Sequence, residues 1–142
     1  MIRIFLVAVL LGFVVTPVLA QESRQVFLKN VFVSGGLSLS GEAADETQPI
    51  VTLWGVKPID LQKVVATEVA LERNIDGRPV NCTVKKWQSQ TNAQAQCIGG
   101  NEVDLALSLV EQGYAMADRS VIANTIFENL YTDAEGKAIK AR

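Results

Sequence analysis

Leu37-Ser38-Leu39-Ser40 alternates apolar and polar residues one by one, whereas Leu61, Val64, Val65 and Val69 recur at helical spacing. That switch of period, from two to about 3.6, constrains the fold more than any other feature of the chain. It sets a block of strands before a helix. Ahead of the switch, Gln25-Val26-Phe27-Leu28 and Asn30-Val31-Phe32-Val33 read as strand and Gly35-Gly36 as a turn. Ile50 to Val56 is an apolar strand whose Trp54 is expected in the core. Gly41 to Gln48 carries Glu42, Asp45 and Glu46 and reads as a solvent loop. Three strands therefore form a meander.

Asp60 suits a helix N-cap, because its carboxylate can accept from the free amides of a first turn. Leu61, Val64, Val65 and Val69 would then make one apolar face. Glu68, Glu72 and Arg73 would make a solvated one. This helix should end near Asn74, before the Asp76-Gly77 turn. Pro79 to Trp87 reads as a strand carrying Cys82, and Ala95 to Ile98 as a shorter one carrying Cys97, with polar Ser89 to Gln94 between them. Asp104 should cap a helix over Leu105 to Gln112, which left-handed Gly113 ends. A last helix should run from about Ile122 to Lys140. The expectation is an α+β domain: a five-stranded antiparallel OB-type barrel with three helices.

Residues 1–20 stand apart. Arg3 precedes an apolar run from Ile4 to Val15, Thr16-Pro17 breaks it, and Val18-Leu19-Ala20 has the small-residue ending of a cleavage site. The segment reads as an export signal peptide, or as an anchor if it is not cleaved, and residues 21–142 as one domain. All 15 acidic residues follow it, against 13 basic residues in the whole chain. Nucleic-acid binding draws most of its affinity from Lys and Arg against phosphate, so such binding is expected to be weak. No histidine is present, which excludes Ser/His and Cys/His nucleophile pairs. Two thiols alone make a poor metal site. In an exported chain Cys82 and Cys97 are expected to form a disulfide between paired strands.

Three segments carry a resemblance to a known family. They are Val51-Thr52-Leu53-Trp54-Gly55-Val56, Asp104-Leu105 through Leu109-Val110-x-x-Gly113-Tyr114-Ala115, and Tyr131-x-x-Ala134-Glu135-x-x-Ala138. In that order, from about Val26 to Ala138, they resemble the staphylococcal nuclease-like (thermonuclease) family. Exported members of that family often carry a cysteine pair placed like Cys82 and Cys97. The resemblance implies a phosphodiesterase site built from a calcium ion, two arginines and a carboxylate. Calcium needs clustered oxygen ligands, and the arginines offset charge developing on phosphorus.

Position by position, that chemistry is missing. The turn that should read Asp-Gly-Asp-Thr is Val33-Ser34-Gly35-Gly36-Leu37, with no carboxylate between Phe32 and Ser40. The first arginine falls on Thr52, a calcium aspartate on Lys57, the general-base glutamate on Asp60 and the second arginine on Asn92. Only Asp60 could survive as a catalytic group, and capping accounts for it. Lys85-Lys86-Trp87 could touch a phosphate and a base, or could be a strand with one packed and one solvated face. No catalytic residue, cofactor or metal is expected.

The resulting expectation is a periplasmic or secreted pseudoenzyme, a binding or accessory module whose partner is an envelope protein or complex that the sequence does not name. The alternatives are a calcium-dependent nuclease with an atypical site, and an accessory subunit of a membrane complex held by an uncleaved leader.

Overall fold

In the computed structural model, residues 24–141 are described. The expected export signal lies outside them. Five strands close a barrel: β1 (Gln25–Gly35), β2 (Ser38–Glu42), β3 (Ile50–Leu53), β5 (Val80–Trp87) and β6 (Asn92–Ile98). Their order is β1-β2-β3-β6-β5, and β5 pairs back onto β1. A two-stranded sheet joins β4 (Val56–Pro58) to β7 (Ala115–Ala117). The helices are α1 (Val64–Ile75), α2 (Leu105–Glu111), the single turn α3 (Arg119–Ile122) and α4 (Glu128–Lys140). An α+β domain on an OB-type barrel is therefore present.

The barrel is mixed, not all-antiparallel as the sequence suggested, because β3 and β6 run parallel. A closed ring with an odd number of strands cannot alternate direction at every step, so one parallel pair is obligatory. The chain supplies it by crossing over through α1 before the β5–β6 hairpin. The expected first strand is present as β1, running through both N-terminal segments. β1 kinks at Asn30, whose φ is 49°, and the register shifts between Lys29 and Phe32. Its first half pairs β5 and its second half β2. Gly41 faces that kink, and a Cβ there would stand 2.8 Å from the Lys29 carbonyl oxygen.

Ile50 to Val56 is not one strand. Gly55, at φ +85°, breaks it into β3 and β4. A side chain at Gly55 is excluded twice: by its left-handed backbone and by Tyr131 Cε2, 2.9 Å from where a Cβ would sit. β6 starts earlier than expected, at Asn92. Its Ala93, Ala95 and Cys97 point inward, and Gln94 and Gln96 outward. The expected last helix is interrupted after Ile122, with Asn124 left-handed at φ 61°, so the described residues hold four helices where three were expected.

Helix α1 is packed out of phase with its expectation. Thr67, Ala70, Leu71 and Ile75 are buried, whereas Leu61 is 83%, Val65 71% and Val69 49% exposed. The cause is a shift of about 100° around the helix, the angle of one residue. The face turned to the barrel is Val64, Glu68, Leu71 and Ile75, at i, i+4, i+7 and i+11. The more apolar stripe, Leu61-Val65-Val69, faces out. Asp60 does cap, but it caps a 3-10 turn over Leu61–Lys63 ahead of α1, accepting from the Gln62 amide at 2.9 Å. Asp104 caps α2 through Leu107 N, and Gly113 follows it at φ +80°.

Three ties fasten the fold. Cys82 and Cys97 stand opposite each other on β5 and β6 and are joined as a disulfide between fully buried positions. Tyr131, also fully buried, donates its hydroxyl to Asp104 Oδ2 at 2.7 Å. Gln96 donates to the same oxygen at 3.2 Å. One turn further along α4, Glu135 Oε2 accepts from the Ala117 amide at 3.1 Å and lies 3.7 Å from Arg119. Trp54, expected in the core, is half-buried at its edge, where it meets Phe127 edge-on at 5.5 Å between ring centres.

The disulfide closes a loop of 15 residues, which stabilises by about 3 kcal/mol in the chain-entropy picture. Thiol counting on the native protein should find no free cysteine, and reduction should lower the melting temperature by roughly 10 °C. Tyr131→Phe should cost about 2 kcal/mol at neutral pH, because it removes a hydrogen bond to a charged acceptor. Burial first, then the Asp104 charge, raise the Tyr131 pKa. The folded state thus keeps a proton that the unfolded state gives up near pH 10. Stability from this group is complete below about pH 10 and falls as pH rises further. Urea unfolding at about pH 7 and pH 11 should show a steeper alkaline loss for wild type than for Tyr131→Phe.

Candidate functional site

The resemblance directs attention to the β1–β2 turn, the outer face of β3, the β4 segment and the β5–β6 hairpin. Thr52 lies on β3 with its side chain outward, and its Oγ1 is 2.8 Å from Ser38 Oγ on β2. The strands place these two hydroxyls opposite each other in register. Each satisfies the other, and neither carries charge. Asn92 opens β6 opposite Ile50, so it shares the outer face with Thr52 two positions along. It closes the hairpin: its carbonyl accepts from Gln88 N at 2.8 Å and Ser89 N at 3.2 Å, and its own amide donates to Ser89 Oγ.

Lys57 is elsewhere. It is exposed on β4, opposite Met116 of β7, in the small second sheet. Asp60 is exposed beyond it and occupied with capping. The barrel therefore brings Thr52 and Asn92 onto one face, while Lys57 and Asp60 belong to a separate layer.

A carboxylate does reach the β1–β2 turn. It comes from α1: Glu68 Oε1 accepts from the Gly36 amide at 2.8 Å. Glu68 is half-buried, a correction to the solvated face expected for it; Glu72 and Arg73 are exposed as expected. The signal that could have found it is its place in the Val64-Glu68-Leu71-Ile75 row. A short turn with free amides next to a packed helix face needs an acceptor, and Glu68 is the acidic residue in that row. Among the described residues no group of three or more His, Cys, Asp or Glu side chains could hold a metal. The donor set at the family positions does not fit calcium, which takes six to eight oxygens: Glu68 is engaged by a backbone amide and Lys57 is a cation.

The Lys85-Lys86-Trp87 trio divides its work. Lys85 Nζ lies 5.1 Å from the Trp54 ring centre and 5.3 Å from that of Phe127, so it braces the approach to α4. Trp87, 37% exposed, lies under the Arg24 guanidinium at 5.5 Å. That pair forms the wall between two hollows at one end of the barrel. The larger, about 410 Å³, is lined by Arg24, Trp87, Gln88, Ser89 and Gln90. The other, about 170 Å³, lies towards the β2–β3 loop and includes Asp45 and Thr47. Two hydrogen bonds from Thr47 hold the Asp45 carboxyl below its usual pKa. The sequence reading missed this site, because Arg24 and Trp87 are far apart in the chain and meet only through the β1–β5 pairing.

Comparison with protein-family models and with curated proteins finds no match to this chain.

Proposed function

We propose that the chain is an exported, non-catalytic binding or accessory module of the cell envelope, on a barrel of staphylococcal nuclease-like type. The observation that carries this reading is the Ser38–Thr52 hydroxyl pair at 2.8 Å. At the position where the resemblance puts a charge-neutralising arginine, it leaves two uncharged groups bonded to each other. Loss of one such donor typically costs 10²–10³ in rate, and Asn92 stands where the second would be. The paired cysteines are compatible with an oxidising compartment outside the cytoplasm.

One observation favours a second reading, a calcium-dependent phosphodiesterase with an atypical site. Glu68 brings a carboxylate to the β1–β2 turn from another element. The two readings separate in one assay. Single-stranded DNA and RNA are incubated with the protein at millimolar calcium, beside Asp60→Ala and Glu68→Gln variants. The expected outcome is no cleavage by any of the three. Cleavage by wild type that is lost in either variant would establish the second reading. Equal cleavage by all three would mark a contaminating nuclease. Binding of single-stranded DNA should be weak and fall steeply with salt, because 13 basic residues face 15 acidic ones in the chain. A fluorescence-anisotropy titration at two salt concentrations measures it.

A further inference from the structure

We propose that the end of the barrel formed by Arg24, Trp87 and the β5–β6 loop is a binding site for an uncharged saccharide. The proposal rests on the non-catalytic binding reading above and gives it a ligand class.

The first observation is how Trp87 comes to be where it is. Inward and outward residues alternate along β5 up to Val84, and the register then shifts between Val84 and Lys86. The extra residue lets Lys85 and Lys86 both stay outside. It also sets Trp87 opposite Ala93, which is buried in the barrel. Directly paired residues share a face of the sheet, so the bulge turns the indole to the barrel's inner side at its rim. A bulge gives up ladder pairing, and re-aiming a side chain at a site is a recurrent reason for one. Barrel mouths are also a preferred place for ligand pockets.

The second observation is the chemistry around that indole. Gln88, Ser89 and Gln90 are exposed and uncharged. The backbone of their loop is fixed by the carbonyl of Asn92 and the hydroxyl of Ser89, which between them accept from Gln88, Ser89, Thr91 and Asn92 amides. The loop is thus held in shape while the Gln88 and Gln90 side chains are left to the solvent. Each side-chain amide offers both donors and an acceptor, as sugar hydroxyls do. An indole offers a flat apolar surface to the C–H face of a pyranose ring. The larger hollow, about 410 Å³, falls within the size range of small-ligand sites, about 300–1,000 Å³.

The third observation is charge, which decides against a nucleic-acid strand. Stacking on Trp87 would serve a base as well as a sugar, but a phosphate chain also needs a basic groove. Of the residues lining the two hollows, Arg24 is the one cation and Asp45 the one anion. Lys85, two positions before Trp87, is committed to Trp54 and Phe127. Lys86 stands on the outer face opposite Gln94, so the hollows hold no basic groove.

The test is a titration of the intact mature protein with tri-N-acetylchitotriose, followed by tryptophan fluorescence and by calorimetry. A saturable response with a dissociation constant near 1 mM is expected, typical of a shallow polar site. Trp87→Ala should weaken it at least tenfold. A Gln88→Ala/Gln90→Ala double variant should weaken it several-fold with an unchanged melting temperature, which keeps the result independent of any folding defect in Trp87→Ala. Trp54→Phe should retain the affinity. Failure to saturate by about 50 mM, or equal affinity in wild type and both site variants, overturns the proposal. So does tight binding of a (dT)₁₀ oligonucleotide at physiological salt that is lost in Arg24→Ala and Trp87→Ala. No sugar binding together with no phosphodiester cleavage removes this site and leaves the non-catalytic reading standing. Calcium-dependent cleavage removes that reading, and the titration still decides the site.

Discussion

The phenol of Tyr131 is the point on which the rest of the structure depends. It is fully buried, and its hydroxyl has one charged acceptor, Asp104 Oδ2. The other oxygen of that carboxylate caps α2 through Leu107 N. One aspartate therefore starts a helix, anchors α4 and receives Gln96 from the barrel. The ring of Tyr131 packs where Gly55 has no side chain, and it leans on Phe127, which in turn meets Trp54. An unpaired buried carboxylate or phenol would be costly. Each lowers the cost of burying the other, so losing either weakens the joint to α4.

That joint explains what the three motif segments are. Residues 51–56 supply Gly55 and Trp54, residues 104–115 supply Asp104 and the turn into β7, and residues 131–138 supply Tyr131 and Glu135. Glu135 meets the Ala117 amide on β7, which pairs with β4. The segments are recognisable because they fit one another. They describe how helices are fastened to a barrel, and they carry no charge to a phosphate. The proposed resemblance rests on these joints and would hold whatever stands at Thr52, Lys57 and Asn92.

Signals that act within a few residues were legible in the chain: the Asp104 cap, the left-handed Gly113, the end of α1 before Asp76-Gly77, and the alternation of Leu37-Ser38-Leu39, which stops at buried Ser40. What failed were quantities that local pattern does not contain. The apolar face of α1 was read as Leu61, Val64, Val65 and Val69; Val64 does lie on the packed row, but the rest of that row includes Glu68, which the β1–β2 turn uses as an acceptor. Strand direction was taken as uniform, although a ring of five strands forbids it. Of the candidate site, the positions of Thr52, Lys57, Asp60 and Asn92 could be named from sequence. Their separation into two layers could not, because it follows from the break at Gly55. The Arg24–Trp87 pair was invisible, since its contact is made by pairing between β1 and β5.

The same break and the same bulge also divide the molecule's aromatic residues by task. Gly55 ends β3 so that Trp54 turns towards Phe127, and Lys85 is held over both rings. A cation placed there strengthens the joint to α4, while Lys86 stays on the outer face opposite Gln94. Beyond the shift at Val84 the strand presents its second tryptophan to the rim, outside that joint. The scaffold consumes one tryptophan and one lysine and leaves the other tryptophan exposed beside Arg24 and neutral amides. Binding of the kind proposed for this end would rest on shape and hydrogen bonding more than on electrostatic attraction.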